Sequence, residues 1–239
     1  MLENIILTDK HRAILADYTS RVEFFEGVTG SSKSIIAGIK FLFRVLESDK
    51  TQFFLAGESI TAVERNIVQN PMGFVELFPA ICKFKKNGFG GSRVEVSTGD
   101  GFVKQIYIIG YSSKDKWKKI LGSTSGGFFV DEINIAQEEF IGELFTRLAR
   151  DKSFLLATSN GDDNELMVYQ RYLNKCMPHP DFRNEIPKTT LKDLDENPIK
   201  DSSYIYYFFG FNDNPTYTEI DIRNLMDVHP PGSWQYKTK

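Results

Sequence analysis

The stretch Phe25-Glu26-Gly27-Val28-Thr29-Gly30-Ser31-Ser32-Lys33-Ser34 is the most informative one for the fold of this chain. It lies between a β-branched and aromatic run (21–25) and an apolar-periodic segment (34–46), so the pattern predicts a strand, a loop and a helix in succession. Gly27, four residues and then Ser32-Lys33-Ser34 approximate the phosphate-binding pattern Gly-x4-Gly-Lys-Ser/Thr, with serine in place of the second glycine. We therefore expect a nucleotide-binding loop of the P-loop type.

Each part of this loop has a predicted task in binding MgATP. Consecutive backbone N–H groups of the loop and of the first helical turn point at phosphate oxygens. Lys33 supplies a positive charge for the β- and γ-phosphates, and the Ser34 hydroxyl is a predicted Mg²⁺ ligand. The predicted ATP-binding residues of the loop are Gly27, Val28, Thr29, Gly30, Ser31, Ser32, Lys33 and Ser34. ATP and Mg²⁺ are thus the predicted cofactors.

Length and composition limit the class of protein. A chain of 239 residues with 41% hydrophobic content can bury the core of one large domain, or of a domain with a short extension. The net charge of −3 gives no overall basic field, so any DNA contact requires a local patch. Cys82 and Cys176 fit neither a disulfide framework nor a metal cluster, and no apolar run is long enough to span a membrane. We expect a soluble intracellular protein.

A second informative stretch is Gly127-Phe128-Phe129-Val130-Asp131-Glu132, an apolar strand that ends in two carboxylates. The apolar run 51–57 is another predicted strand, and together with the P-loop helix it completes a βαβ unit. In a parallel sheet, residues at the carboxyl ends of strands line the ligand crevice. We therefore expect Asp131 to hold the hydrated Mg²⁺ and Glu132 to act as the general base for the attacking water.

Two later stretches supply further candidates. The strand 154–160 ends in Thr158, Ser159 and Asn160, small polar residues suited to sensing the γ-phosphate. The helix 137–150 carries Arg147 near its end, which we predict as a catalytic arginine. The favourable interaction of a cation with the helix dipole is an alternative reason for an arginine there.

The predicted fold class is α/β: a P-loop ATPase of the RecA/ASCE type whose mainly parallel central sheet is flanked by helices. The alternating segment 88–110, with Thr98-Gly99-Asp100-Gly101 as its turn, predicts an added β-hairpin. We divide the single domain into a helix on the adenine side (1–20), the ATPase core (21–160) and a C-terminal extension (161–239). Within the extension we expect a polar loop over 177–197, a strand over 203–211 and a helix over 216–226.

In this order the motifs resemble the ATPase domain of the large terminase subunit of tailed bacteriophages. The resemblance spans nearly the whole chain. Besides the P-loop and the Asp131-Glu132 pair, its carriers are Leu7 to His11, Thr61 to Ile67, Arg147-Leu148, Thr158 to Asn160, Asp213-Asn214-Pro215 and Pro231 to Trp234. Only the ensemble is specific, because many ATPases share the P-loop and the acidic pair.

The resemblance implies an ATPase motor that packages double-stranded DNA into a procapsid. The implied partners are DNA, the portal protein and the small terminase subunit, with a ring oligomer on the portal, in the host cytoplasm. His11 falls where an adenine-reading residue lies in that family, and Thr158 to Asn160 resemble its coupling motif. The family's nuclease half is not expected in this chain, whose end lies about where the connection to it would begin.

Departures from the family pattern concern the positive charge at the γ-phosphate. Thr29 and Leu121 stand where relatives often carry arginine, which leaves Lys119, Arg147 and Arg65 as candidates for a charge inserted by a neighbouring subunit. Basic clusters that are candidates for contact with DNA phosphates, or are merely solvated, comprise Lys83, Lys85, Lys86, Lys114, Lys116, Lys118 and Lys119.

Two other functions stay open on the sequence. A RecA-like helicase or remodelling ATPase would need a second ATPase lobe, and no second P-loop is present in the sequence. A degenerate module that binds nucleotide without hydrolysing it is prompted by Ser32.

Overall fold

The computed structural model describes residues 5–88, 91–118, 124–161 and 166–228. Three sequence features lie outside these ranges: Lys119, Leu121 with the glycine after it, and the C-terminal motif from Pro231 to Trp234. In the described part of the chain, no helix has both the length and the apolar character needed to cross a bilayer.

The described residues form a nine-stranded sheet with the order β3-β4-β5-β2-β6-β7-β1-β9-β8 at the centre of the fold. The strands are β1 Val22–Gly27, β2 Gln52–Gly57, β3 Cys82–Gly88, β4 Gly91–Ser97, β5 Val103–Gly110, β6 Gly127–Val130, β7 Phe154–Ser159, β8 Met177–Pro178 and β9 Tyr204–Phe209. Within the part β5-β2-β6-β7-β1-β9-β8, every pair of neighbouring strands is parallel. The predicted mainly parallel sheet is therefore confirmed.

Helices flank both faces of the sheet. The α-helices are α1 Asp9–Ala16, α2 Lys33–Glu47, α3 Ile60–Val63, α4 Phe74–Leu77, α5 Lys114–Trp117, α6 Glu138–Asp151, α7 Met167–Arg171, α8 Lys188–Glu196 and α9 Glu219–Val228. The π-helical turn Glu64–Val68 continues α3, and 3-10 turns occupy Ile133–Ile135, Leu173–Lys175, Pro180–Glu185 and Phe211–Asp213. One apolar core contains the buried side of α1 and α2, and the other contains that of α6 and α7.

The central strands are apolar on both faces because helices cover each side. Phe25 and Phe129 point into the core beneath α2, whereas their neighbours Phe24 and Phe128 point into the core beneath α6. A strand buried on both faces reads as a continuous apolar run, which is why the sequence predicts these strands well.

A buried ion cluster fixes α2 on β1. Lys40 of α2 and Glu23 of β1 are both fully buried, with 2.5 Å between Lys40 Nζ and Glu23 Oε2. Arg44, one turn further along, donates to the other carboxylate oxygen at 2.8 Å. Because breaking a buried ion pair leaves an uncompensated charge, this cluster constrains the orientation of α2 and so of the loop before it.

The predicted hairpin is present as β4 and β5, which pair antiparallel. The structure adds a third antiparallel strand, β3, that the sequence analysis did not predict. β3 is an edge strand: Cys82 is buried and Lys83 and Lys85 are exposed, so only one face carries apolar residues. Lysines on an edge strand oppose unwanted strand pairing, and here they also hide the strand pattern.

The C-terminal extension contributes to the central sheet rather than only following it. β9 lies parallel to β1, with Gly27 opposite Phe209. The stretch 177–197, expected as a loop, instead contains β8, a 3-10 turn and α8. That expectation was wrong because α8 has a narrow apolar stripe, in which Leu194 is buried and Leu191 packs against the core.

Candidate nucleotide-binding site

The backbone of the loop between β1 and α2 fits the predicted phosphate-binding loop. A Cβ atom at Gly27 would lie 2.2 Å from the Phe209 carbonyl oxygen, so only glycine fits beside β9. Gly30 has a φ of 84°, and Ser32, immediately before α2, has a φ of 66°. Helix α2 begins at Lys33 and its N-cap side chain makes no capping hydrogen bond. The first N–H groups of a 15-residue helix thus face the loop, which favours an anion there.

Ser32 takes the left-handed conformation that a glycine would adopt more easily. Its hydroxyl compensates with contacts on three sides. It lies 2.5 Å from the Ser31 carbonyl oxygen, 3.1 Å from the Asp213 carbonyl oxygen and 3.4 Å from Nε2 of His11. The serine therefore ties the loop to the segment after β9 and to α1.

Replacing Ser32 with glycine is expected to leave the protein more stable than replacing it with alanine, by about 1 kcal/mol. Both variants lose the hydroxyl, but only alanine keeps a Cβ atom at a φ of 66°. Urea unfolding measures the difference. The neighbouring Ser31, which has no positive φ, is the control: there the alanine variant should be the more stable. Equal stability of the two Ser32 variants would contradict the strain argument.

His11 packs behind the loop. Its backbone N–H donates to the Thr8 hydroxyl at 3.2 Å, and its Nδ1 accepts from the Thr8 N–H at 3.4 Å, so Thr8 is the N-cap of α1. With Nδ1 accepting, the neutral ring carries its proton on Nε2, toward Ser32. The ring also stacks on Phe209. The structure thus gives both ring nitrogens protein partners, and adenine recognition by His11 stays a prediction.

Burial, helped by the charge of Lys10, lowers the pKa of His11 from 6.5 to about 4. The unfolded chain therefore takes up a proton on His11 below pH 6.5, while the folded chain does not until about pH 4. The stability from the neutral ring is complete above pH 6.5 and falls as the pH drops toward 4, by about 3 kcal/mol in total. Urea unfolding from pH 7.5 to 4.5 should show the wild type losing more stability than His11→Gln. If stability fell equally with pH in the wild type and in His11→Gln, the lowered pKa of His11 would be contradicted.

Asp131 lies among oxygen donors at the carboxyl ends of the strands. Its Oδ1 accepts from the Ser34 hydroxyl at 3.1 Å and from the Thr158 hydroxyl at 2.7 Å. The structure therefore brings together the P-loop serine, the first acid after β6 and the carboxyl end of β7. A carboxylate and a hydroxyl are hard oxygen ligands of the kind Mg²⁺ prefers, so Ser34 and Asp131 fit a magnesium ion.

Glu132 has a strained backbone with a φ of 53°. Two contacts hold it: its N–H donates to the Thr158 hydroxyl at 2.9 Å, and its carbonyl oxygen accepts from the Tyr111 hydroxyl at 2.9 Å. Non-glycine residues in this conformation cluster at functional sites, where surrounding contacts enforce the strain. Tyr111, which is buried after β5, belongs to no motif in the sequence.

Asn160 joins two of the predicted catalytic residues. Its Oδ1 accepts from Lys33 Nζ at 2.6 Å, and its Nδ2 donates to Glu132 Oε1 at 2.9 Å. Lys33 also donates to the Val28 carbonyl oxygen at 3.2 Å. Burial lowers the pKa of Lys33 to about 8, although the nearby carboxylates, led by Asp131, oppose this shift.

The structure does not bring Arg147 to this cluster. Nine residues of α6 separate it from the helix start, about 13 Å of axial rise. Asp151, one turn further on, accepts from the N–H of Ser125, just before β6. This end of α6 therefore lies beside the amino ends of the strands, whereas the cluster lies at their carboxyl ends. Arg147 is buried there and donates to Glu143 at 2.6 Å. Thr29 and Arg65 are exposed.

A segment after β9 lies over the loop and makes contacts that no sequence pattern predicts. Asn214 Nδ2 donates to the Gly30 carbonyl oxygen at 2.7 Å. A Cβ atom at Gly30 would lie 2.5 Å from the Tyr217 hydroxyl. The nearby Lys10 is buried and pairs with Asp213 at 2.9 Å and with Glu185. These contacts hold the C-terminal extension against the loop.

Solved structures contain the same arrangement of strands and helices. The large terminase from a thermophilic bacteriophage matches 95% of this chain with a TM-score of 0.73 at 17% identity. The same protein in complex with ATP-γ-S matches 96% with a TM-score of 0.71 at 18% identity. The ATPase domain of the Thermus phage P74-26 large terminase matches 95% of this chain and 90% of its own, with a TM-score of 0.67 at 12% identity. This chain has the terminase ATPase fold.

The predicted resemblance and fold class are thus confirmed at the level of the fold. No family model matches the sequence, and no curated protein matches it. The chain spans about half the length of the first of these large terminases, 51%. The low identities mean that the roles of individual residues rest on the geometry of this chain.

Proposed function

We propose that this chain hydrolyses ATP and that the hydrolysis drives double-stranded DNA into a viral procapsid. The observation that carries the proposal is the pair of hydrogen bonds through which Asn160 joins Lys33 to Glu132 at the start of α2. A phosphate-binding loop, a buried lysine and a carboxylate that can accept a proton thus meet at one place. The likeness to terminases, one of them in complex with ATP-γ-S, supports the same function.

In the proposed reaction, water attacks the γ-phosphate in line with the leaving oxygen. Lys33 and the amide groups of the loop hold the phosphates and offset their charge. Glu132 orients the water and accepts its proton. Ser34 and Asp131 would hold Mg²⁺, which would neutralise the charge that develops on the phosphates. Asn160, Ser159 and Thr158 would sense the phosphate and couple hydrolysis to motion.

The positive charge that completes such sites is proposed to come from a neighbouring subunit of a ring on the portal protein. Thr29 supplies no positive charge from the loop, and Arg147 lies near the amino ends of the strands, away from the candidate site. Arg65 is exposed beyond β2, in the π-helical turn, and its Nε donates to the adjacent Asn66 at 3.0 Å, a contact that a partner can displace. The small terminase subunit belongs to the same proposed assembly, in the host cytoplasm.

For contact with DNA we propose the edge strand β3. Lys83, Lys85 and Lys86 are exposed there, and phosphate contacts by lysine do not require sequence reading.

A phosphate-release assay with and without double-stranded DNA tests the proposed function. We expect turnover that depends on Mg²⁺ and rises with DNA, without strand separation. The Glu132→Gln protein, purified in parallel, controls for contaminating ATPases. Absence of turnover under all conditions would favour a module that only binds nucleotide, and strand separation would favour a helicase.

A further inference from the structure

A buried carboxylate lies directly beneath the P-loop and has no part in the chemistry proposed above. Glu26 is the residue before Gly27, and only 2% of its surface is exposed. Tyr169 of α7 donates its hydroxyl to Oε1 of Glu26 at 2.8 Å, and Tyr206 of β9 donates its hydroxyl to Oε2. Both tyrosines are themselves buried. Helix α7 and strand β9 thus each donate a hydrogen bond to Glu26, the residue that precedes the loop.

Tyr169 also contacts the strand on the other side. Its hydroxyl oxygen lies 2.8 Å from the Ser159 hydroxyl and 3.2 Å from the Asn160 carbonyl oxygen. A hydroxyl has one proton to give. When Tyr169 donates to the carboxylate, its oxygen accepts from the Ser159 hydroxyl, which also lies 3.1 Å from the Asn160 carbonyl oxygen.

The Tyr169 contacts lie where two neighbouring strands of the sheet end. Glu26 and Ser159 are register partners in the parallel pair of β1 and β7. From this point β1 continues into the phosphate loop, and β7 continues into Asn160, whose side chain reaches Lys33 and Glu132. Tyr169 therefore bridges the two strands at the place where both enter the candidate site.

We propose that Tyr169 is a positioning residue that holds the carboxyl end of β7 against β1 and so keeps Asn160 aligned between Lys33 and Glu132. The inference rests on the proposed hydrolysis of ATP. The buried Tyr169 hydroxyl has no proposed contact with the nucleotide or with the attacking water. It acts through Ser159 and the Asn160 backbone.

Tyr206 offers a matched control. It is as deeply buried as Tyr169 and donates to the same carboxylate. Within the described part of the chain its hydroxyl makes one hydrogen bond, to Glu26. Tyr169→Phe and Tyr206→Phe thus each remove one hydroxyl from Glu26, but only Tyr169→Phe also removes a contact with β7.

The test compares the two phenylalanine variants for thermal stability, for affinity toward ATP-γ-S and for kcat. We expect similar losses of thermal stability and an unchanged affinity in both. Only Tyr169→Phe should lower kcat, by about tenfold, the scale of one well-placed hydrogen bond. Ser159→Ala should lower kcat similarly, and its combination with Tyr169→Phe should cost no more than the larger single effect. Equal kcat losses in both phenylalanine variants, or a wild-type kcat in Tyr169→Phe, would overturn the proposal.

Amide hydrogen exchange tests the positioning role without relying on turnover. Peptides covering 154–160 should exchange faster in Tyr169→Phe than in the wild type, and at the wild-type rate in Tyr206→Phe. If the wild type hydrolysed no ATP, the proposed function would fail, while this comparison would still test the positioning role. Equal exchange in the two variants would overturn it.

Discussion

Glu132→Gln is expected to abolish turnover while leaving nucleotide binding intact. Loss of a general base costs about 10² to 10⁴ in rate. Glutamine has the same shape, and its amide oxygen can still accept the hydrogen bond from Asn160 Nδ2. The backbone contacts of residue 132 with Thr158 and Tyr111 do not involve the side chain, so the strained conformation should persist. The variant should therefore fold normally and trap ATP.

The measurement pairs steady-state phosphate release with a binding titration of fluorescent ATP. Glu139→Gln, a neutralised carboxylate exposed in the first turn of α6, controls for loss of negative charge nearby. Wild-type turnover in Glu132→Gln would show that another group accepts the proton. A variant that loses both turnover and binding would instead assign Glu132 to nucleotide binding.

Lys33→Ala is expected to lose nucleotide binding rather than only the chemical step. Nζ lies at the start of α2, within reach of both Asn160 and the loop carbonyl of Val28. A hydrogen bond to a charged group contributes about 1.5–3 kcal/mol, and 1.4 kcal/mol is tenfold in affinity. We expect ATP affinity to fall by about 10- to 100-fold, measured by titration calorimetry.

The pKa of Lys33 adds a second readout. Because burial holds this pKa at about 8 in the nucleotide-free chain, the ammonium form that binds phosphate becomes scarce above pH 8. ATP affinity of the wild type should fall about tenfold for each pH unit above 8, since binding then requires uptake of a proton. Lys33→Arg should show no such dependence, and Lys83→Ala, on the distant edge strand, should behave as the wild type. An affinity of Lys33→Ala equal to the wild type would remove Lys33 from the site.

The sequence predicts the parts of the fold whose environment is encoded locally. β1, β2, β6 and β7 are buried on both faces. β2, β6 and β7 are therefore short apolar runs, whereas β1 carries the buried Glu23 and Glu26 beside its apolar residues. The third antiparallel strand and α8 were missed, because an edge strand and a surface helix each bury only one narrow side.

The candidate site divides in the same way. The sequence alone predicted the P-loop, the acids Asp131 and Glu132, and the polar end of β7, because the proposed chemistry of phosphate binding restricts residue types at fixed spacing. The three-dimensional packing determined which side chains meet: Asn160 between Lys33 and Glu132, Tyr111 beneath the strained Glu132, and Tyr169 between two strands. The packing also placed Arg147 near the amino ends of the strands, away from the candidate site. Such contacts join residues far apart in the chain, and their geometry follows from strand order and helix direction, which residue spacing does not specify.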